Sequence, residues 1–290
     1  MDLSEYIRHY KLGTILENIL FKDYNTIHLG GMVKYFFKPR SYKKLKKALN
    51  FFKKVGLEYY IVGAMSNTYT TGFNGVIISL DECKKKLKVK RKIYISANIS
   101  CLKVSKYLAG LNIKSLLGIT GIPGSIGGAL YMNASVSTES ISSYLLKVKV
   151  LDKNLKIKWI DKDSLVFNYR YSSFMLEDCI ILEAIFKKVY DKNTKKLVQN
   201  ILKKRRMSQP LGRSLGSIFK NGNNYYAGKI IEELGYKGYN YKGIEISLKH
   251  ANIWLNKNGD IEAFLELIFI IKLRCLITYN IRLKEEIIAF

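Results

Sequence analysis

Proline is nearly missing from this chain: there are three in 290 residues, beside 21 glycines, which excludes a long Pro/Gly-rich linker. Cysteine is scarce as well. Cys83, Cys101, Cys179 and Cys275 stand far apart with no C-x-x-C pair, which argues against a disulfide framework and for reduced thiols. The three histidines, His9, His28 and His250, cluster neither with one another nor with cysteines, so no metal site is expected. The most apolar stretch, residues 264–273, is too short to span a bilayer and is closed by Arg274. Residues 1–11 carry Asp2, Glu5, Arg8 and Lys11 without an apolar core, unlike a signal peptide. These absences predict a soluble cytoplasmic protein with no membrane insertion.

What is present is globular: 48% hydrophobic and 25% charged residues exclude disorder, collagen and coiled coil. Charge is lopsided, with 49 Lys+Arg against 23 Asp+Glu and a formal net charge of +26. Such an excess attracts polyanions. However, 40 of the cations are lysines and only nine are arginines, spread along the whole chain. A nucleic-acid face normally clusters its cations and uses arginine for bidentate contacts. The densest runs, Lys84-Lys85-Lys86 and residues 43–47, read as solvated turn and helix surfaces. No specific nucleic-acid partner is predicted, and the charge favours an acidic substrate such as a nucleotide sugar.

Periodicity gives a mixed pattern. Residues 41–55 place Leu45, Ala48, Leu49 and Phe52 at helical spacing, with Ser41 as N-cap and Gly56 at the end. Residues 58–62 and 76–80 read as strands, with a tight loop at 63–67. Strands are also expected at 92–95, 144–151, 156–160, 179–189 and 251–255, with turn chemistry at Asp152-Lys153-Asn154. Helices are expected at 101–111 capped by Ser100, at 193–206, and from Asp260 to about residue 279. The order lacks the regular alternation of a doubly wound sheet, so the class is α+β in two or three lobes.

Five segments can carry chemistry. In Gly118-Ile119-Thr120-Gly121-Ile122-Pro123-Gly124-Ser125-Ile126-Gly127-Gly128, five glycines expose backbone N–H groups and let a ligand approach closely. This is neither a Walker loop nor a Rossmann fingerprint, and a glycine-rich packing turn is the plain alternative. Gly63-Ala64-Met65-Ser66-Asn67 could hold phosphate oxygens too, and two such loops suggest a dinucleotide with its pyrophosphate shared between them. Tyr169-Arg170-Tyr171 offers a planar fork to a carboxylate, unless Arg170 is an ordinary surface arginine. Gly216-Ser217-Ile218-Phe219-Lys220-Asn221 is not an acyl-transfer elbow and is otherwise a polar turn. In Leu283-Lys284-Glu285-Glu286, alternation could turn one acid into a site while the other faces solvent.

These segments, in this order, resemble the UDP-N-acetylenolpyruvoylglucosamine reductase (MurB) family. The most specific part is Gly121-Ile122-Pro123-Gly124-Ser125-Ile126-Gly127-Gly128 followed by Tyr131-Met132-Asn133-Ala134. Tyr169-Arg170-x-Ser172, Gly216-Ser217-x-Phe219, Ala227-Gly228-Lys229-Ile230-Ile231 and Lys249-His250-Ala251 reinforce it. The chain is similar to the shorter, second type, because residues 174–185 leave no room for an inserted substrate-covering loop. The resemblance implies an α+β, two-subdomain FAD-binding fold of the vanillyl-alcohol-oxidase type plus a C-terminal α+β substrate-binding domain. The corresponding spans are residues 1–80, 81–190 and 191–290. It also implies a monomer that binds FAD, uses NADPH as co-substrate and acts on a UDP-sugar.

By the same resemblance FAD falls to Gly63, Ala64, Met65, Ser66, Asn67, Gly121, Ile122, Gly124 and Ser125. Tyr169 and Asn221 become substrate contacts, and Arg170, Ser217 and Glu286 the catalytic set. Arg170 would pair the substrate carboxylate, Ser217 would give a proton to the carbanionic carbon, and Glu286 would have to be protonated to assist. Three positions depart from the pattern. Met65 stands for a glycine, so its backbone must keep a negative φ or bear the cost of a positive one. Ser135 replaces another glycine, and Ser208 a lysine that helps to bind the nucleotide. His250 reads equally as a core residue or a functional one. Two competing readings are a flavin oxidoreductase with another small substrate and a basic nucleic-acid-binding protein, which predicts steeply salt-dependent binding.

Overall fold

The computed structural model describes residues 2–136 and 139–290. The chain divides into two units, one of residues 2–17, Tyr35–Ala64 and Asn74–Lys203, the other of Asn18–Lys34, Met65–Phe73 and Lys204–Phe290.

The first unit holds two cores. One gathers around a four-stranded sheet whose order is Gly13–Leu20, Met32–Pro39, Phe73–Ser79, Tyr59–Val62; the unit boundaries fall within the first three strands. Tyr59–Val62 runs parallel to Phe73–Ser79. The helix Tyr42–Val55 buries Leu45, Ala48, Leu49 and Phe52, the stripe its spacing predicts, with Phe37, Val76 and Ile78 in the same core. Ser41 Oγ accepts from Lys44 N at 3.3 Å, and Gly56 closes the helix in the left-handed region at φ +67°. A short helix, Leu3–His9, joins this core through Leu3 and Ile7. Asp2 and Glu5 form a reciprocal capping box at its start, a local signal for a helix too short to show apolar periodicity.

The second core fills one side of an antiparallel five-stranded sheet, in the order Leu87–Val89, Lys92–Ser96, Cys179–Lys187, Leu145–Asp152, Ile157–Asp161. The turn between the last two strands is tied by Asp152, whose Oδ1 accepts from Asn154 N (3.0 Å) and Lys156 N (2.9 Å). Two helices cover this sheet, Cys101–Gly110 and Ile126–Tyr131. Ser100 does not cap the first of them through its side chain. Instead Cys101 N donates to Gly124 O at 2.9 Å, and Ser100 pairs with Ser125 in a β-bridge. The glycine-rich loop thus satisfies the first of the N–H groups at the helix start.

The second unit is built on the helix Ile261–Tyr279, started by Asp260, whose Oδ1 accepts from Ala263 N at 2.8 Å, and ended by Asn280 at φ +54°. The helix Ala227–Glu233 and a three-stranded antiparallel sheet, Asn240–Tyr241, Ile244–Ile246 and Trp254–Asn256, share its core. The last strand begins at Trp254 rather than at 251, because His250 and Ile253 close a turn first, with Ile253 N donating to His250 O. Ile288–Ala289 runs parallel to Thr68–Tyr69, which draws the last residues onto the segment that opens at Met65.

Candidate functional site

In the first unit the strand Tyr59–Val62 delivers Gly63 directly against the glycine-rich loop. A Cβ at Gly63 would lie 2.6 Å from Ser125 Oγ, so only glycine lets the two loops meet. Ser125 is itself fixed as the N-cap of Ile126–Tyr131, its Oγ accepting from Gly128 N at 3.3 Å. Ile122 N donates to Ile119 O at 3.2 Å, Gly124 O is the acceptor for Cys101, and Gly121 takes φ +77°. Ala64 is exposed at the end of this unit. Not every glycine here serves a ligand. A Cβ at Gly118 would sit 2.2 Å from Glu139 O, so that glycine is needed for packing alone.

FAD carries phosphate oxygens that need donors at close range. The glycine-rich loop has backbone N–H groups and the Ser125 hydroxyl to offer, so the residues present fit it.

Arg170 sits in the two-residue loop of a tight hairpin, Phe167–Asn168 paired with Tyr171–Ser172. Its φ is +51°, a value that favours glycine. The guanidinium carbon lies 5.1 Å from the centroid of the Tyr169 ring, and Nη1 donates to Ser135 Oγ at 3.0 Å. The hairpin is tied further to residues 131–135. Asn133 Nδ2 donates to Asn168 O (2.9 Å), and Ser172 Oγ donates to Tyr131 O (2.6 Å).

The second unit gathers the other residues singled out from sequence. Ser217 forms a β-bridge with Ile253, and Phe219 with Glu285. Glu286 N donates to Ile218 O at 2.8 Å, and Asn67 Nδ2 donates to Glu286 O at 3.0 Å. Asn67, Ser217 and Glu286 are therefore neighbours along one hydrogen-bonded framework. Glu285 takes the structural part of the acidic pair: its Oε1 accepts from Lys272 Nζ at 3.0 Å. Glu286, like Ser217 and Ser66, is half-buried. Asn221 turns toward the helix Ala227–Glu233, its Oδ1 accepting from Ala227 N at 3.0 Å. Met65 does adopt a positive φ, +50°, while its carbonyl accepts from Thr26 N at 3.2 Å. Ser208 bonds back along its own helix to Lys204 O at 3.0 Å.

Sequence reasoning missed Asn252. Fully two-sided, it accepts from Phe219 N at 3.0 Å and donates to Phe219 O at 2.7 Å, locking the segment that carries Ser217. The signal for it was its place directly after the motif Lys249-His250-Ala251. His250 braces the same turn. Its Nδ1 accepts from Asn252 N at 3.2 Å, and burial first of all pushes its pKa below the ordinary histidine value.

Among the described residues no group of three or more His, Cys, Asp or Glu could hold a metal ion, and no helix is long and apolar enough to cross a membrane.

Residues 33–161 match the family model of an FAD binding domain, and residues 207–290 that of the UDP-N-acetylenolpyruvoylglucosamine reductase C-terminal domain. The UDP-N-acetylenolpyruvoylglucosamine reductase of Prochlorococcus marinus subsp. pastoris is 34% identical, covering 94% of this chain and 96% of its own. That of Clostridium novyi (strain NT) is 31% identical, over 94% of this chain and 91% of its own. The crystal structure of the Thermus caldophilus UDP-N-acetylenolpyruvylglucosamine reductase superposes with a TM-score of 0.82 over 96% of this chain and 99% of that one; at 23% identity it speaks for the fold. With its α+β FAD-binding fold and reductase C-terminal domain, the chain belongs to the UDP-N-acetylenolpyruvoylglucosamine reductase family and is an FAD-dependent oxidoreductase.

Proposed function

We propose that this protein catalyses the NADPH-dependent reduction of the enolpyruvyl group of UDP-N-acetylglucosamine enolpyruvate to UDP-N-acetylmuramate, a step of peptidoglycan precursor synthesis. The observation that carries the reading is the near end-to-end match to curated relatives bearing the reductase name, at 31–34% identity. The protein acts as a cytoplasmic monomer, and its basic surface draws in two phosphate-bearing substrates.

FAD, when bound, supplies the hydride relay between the reduced nicotinamide and the enolpyruvyl double bond. The chain supplies the rest. Gly63 to Asn67 and Gly121 to Ser125 hold the dinucleotide. Arg170 pairs the substrate carboxylate through its guanidinium, and stabilises the negative charge that spreads into that carboxylate as the vinyl group is reduced. Tyr169 and Asn221 contact the substrate.

Ser217 delivers a proton to the carbon beside the carboxylate. A hydroxyl is a weak acid, so this transfer needs a strongly basic carbon and close placement. The bridge to Ile253 and the Asn252 clamp on Phe219 support that placement. Glu286 assists as the neutral acid, with its backbone held from both sides by Ile218 and Asn67.

The test is an anaerobic stopped-flow experiment on the purified protein. NADPH bleaches the flavin absorbance, and adding the enolpyruvyl UDP-sugar restores it with formation of the muramate. A reduced flavin that reoxidises with dioxygen but is indifferent to the sugar would defeat this reading in favour of another flavin oxidoreductase.

A further inference from the structure

We infer that Ser135 is a positioning residue for Arg170, setting the direction in which the guanidinium meets the substrate carboxylate; the inference rests on the reductase reading above. Arg170 occupies the third residue of a four-residue turn, Asn168 to Tyr171, in the left-handed region. A glycine or asparagine would sit there at lower backbone cost. An arginine on a tight hairpin still has four rotatable side-chain bonds, and its value as a bidentate partner depends on where the planar fork points.

Two contacts help to set that plane. The Tyr169 ring carries the guanidinium on one side, and Ser135 Oγ takes an N–H from Nη1 at 3.0 Å. A guanidinium has five N–H donors, and the hydroxyl engages one. Ser135 is itself placed by the chain around it: Asn133 Nδ2 holds Asn168 O, Ser172 Oγ holds Tyr131 O, and Ser135 bridges to Ser140. The segment 131–135 and the hairpin are thus tied together, and the serine hydroxyl is one contact with the charged end of Arg170. Removing that hydroxyl leaves the charge in place and takes away one of the bonds that direct it.

The experiment compares Ser135→Ala, Ser135→Thr and Arg170→Ala, each as the FAD-loaded protein, with two readouts. The first is calorimetric affinity for UDP-N-acetylmuramate, which carries the carboxylate, and for UDP-N-acetylglucosamine, which does not. The second is the separate rates of flavin reduction by NADPH and reoxidation by the enolpyruvyl UDP-sugar. Ser135→Ala is expected to weaken the carboxylated ligand about tenfold and slow reoxidation by a similar factor, since small misplacements of a positioned group carry losses up to ~10²-fold. Affinity for UDP-N-acetylglucosamine and the rate of flavin reduction stay at the wild-type level, and Ser135→Thr restores both losses.

Equal weakening of both ligands, loss of flavin, or no change in Ser135→Ala beside a crippled Arg170→Ala would overturn the positioning role while leaving the reductase reading intact. If Arg170→Ala itself discriminates neither ligand and reoxidises normally, the role of Arg170 falls, and this inference with it.

Discussion

Asn67 and Glu286 are 219 residues apart in sequence, and the amide of the first donates to the backbone carbonyl of the second at 3.0 Å. The link continues in both directions. Asn67 O accepts from Ile288 N at 2.9 Å, and Glu286 N reaches Ile218 O at 2.8 Å. One asparagine in a loop assigned to the cofactor therefore also fixes the backbone of a residue assigned to catalysis.

Replacing Asn67 separates the two parts of that bond. Asn67→Ala leaves a half-buried carbonyl without its donor and should cost about 1–3 kcal/mol. Asn67→Asp should cost more, because a carboxylate oxygen then faces the carbonyl oxygen of Glu286. Urea midpoints of the two variants decide the order; an aspartate variant as stable as wild type would show that the bond contributes nothing.

Arg170 and Met65 both hold positive φ without being glycine, at +51° and +50°. Such a conformation costs an L-residue about 1–2 kcal/mol, against about 0.5–1 kcal/mol of extra unfolded-state entropy for glycine. Met65→Gly should therefore be slightly more stable than wild type. At Arg170 the clean comparison is Gly against Ala, since both delete the side chain and only glycine relieves the backbone. Arg170→Gly should exceed Arg170→Ala by about 1 kcal/mol, and both should be inactive. Thermal melts of the flavin-free proteins read the difference, and equal melts would deny the strain.

The two positions also mark the limit of what the sequence discloses. Caps are local, so Ser41, Gly56 and Asp260 were legible and form as read. The helix Ile126–Tyr131 was not, because Gly127 and Gly128 give it poor propensity; its start is fixed from outside, by Ile126 N on Ile99 O and Gly127 N on Ala97 O. Ser100 has the chemistry of a cap but makes no side-chain cap bond; it is paired with Ser125 instead. Strands Gly13–Leu20 and Met32–Pro39 were passed over, since their burial departs from simple alternation. The proposed catalytic set rests on motifs that resemble a family, and no local pattern points to it. The contact between Ser135 and Arg170 joins residues 35 apart, with the strands Leu145–Asp152 and Ile157–Asp161 between them, which no local pattern encodes.

Ser217 provides the sharpest kinetic prediction. Its bridge partner Ile253 and the Asn252 clamp hold backbone, so Ser217→Ala removes a hydroxyl without loosening the framework. Flavin bleaching by NADPH should keep its rate, while turnover to the muramate falls by about 10²–10⁴-fold, the usual loss for a positioned proton donor. Rapid-mixing traces distinguish the phases. A variant that turns over normally would remove Ser217 from the chemistry.

The thiols set the behaviour in alkali. Cys83, Cys101 and Cys275 are buried and Cys179 is half-buried, all four free. Burial is the first cause of each shift: it pushes the pKa of Cys83, Cys101 and Cys179 up to about 12 and that of Cys275 to about 11. A folded-state pKa above the unfolded value means that the folded chain keeps protons the unfolded chain gives up. The stability is complete below the unfolded thiol value of 9.0 and is lost as pH rises through the window toward 11–12. Tyr60 and Tyr69, raised by burial to about 12, act in the same direction from 10 upward. Thiolate is the reactive form, so at pH 8 a disulfide reagent should label the native protein far more slowly than the urea-unfolded chain, which yields four thiols at once. Urea midpoints should fall steadily above pH 9. Rapid labelling of more than Cys179 in the native state would show that the buried thiols are not shielded as this packing requires.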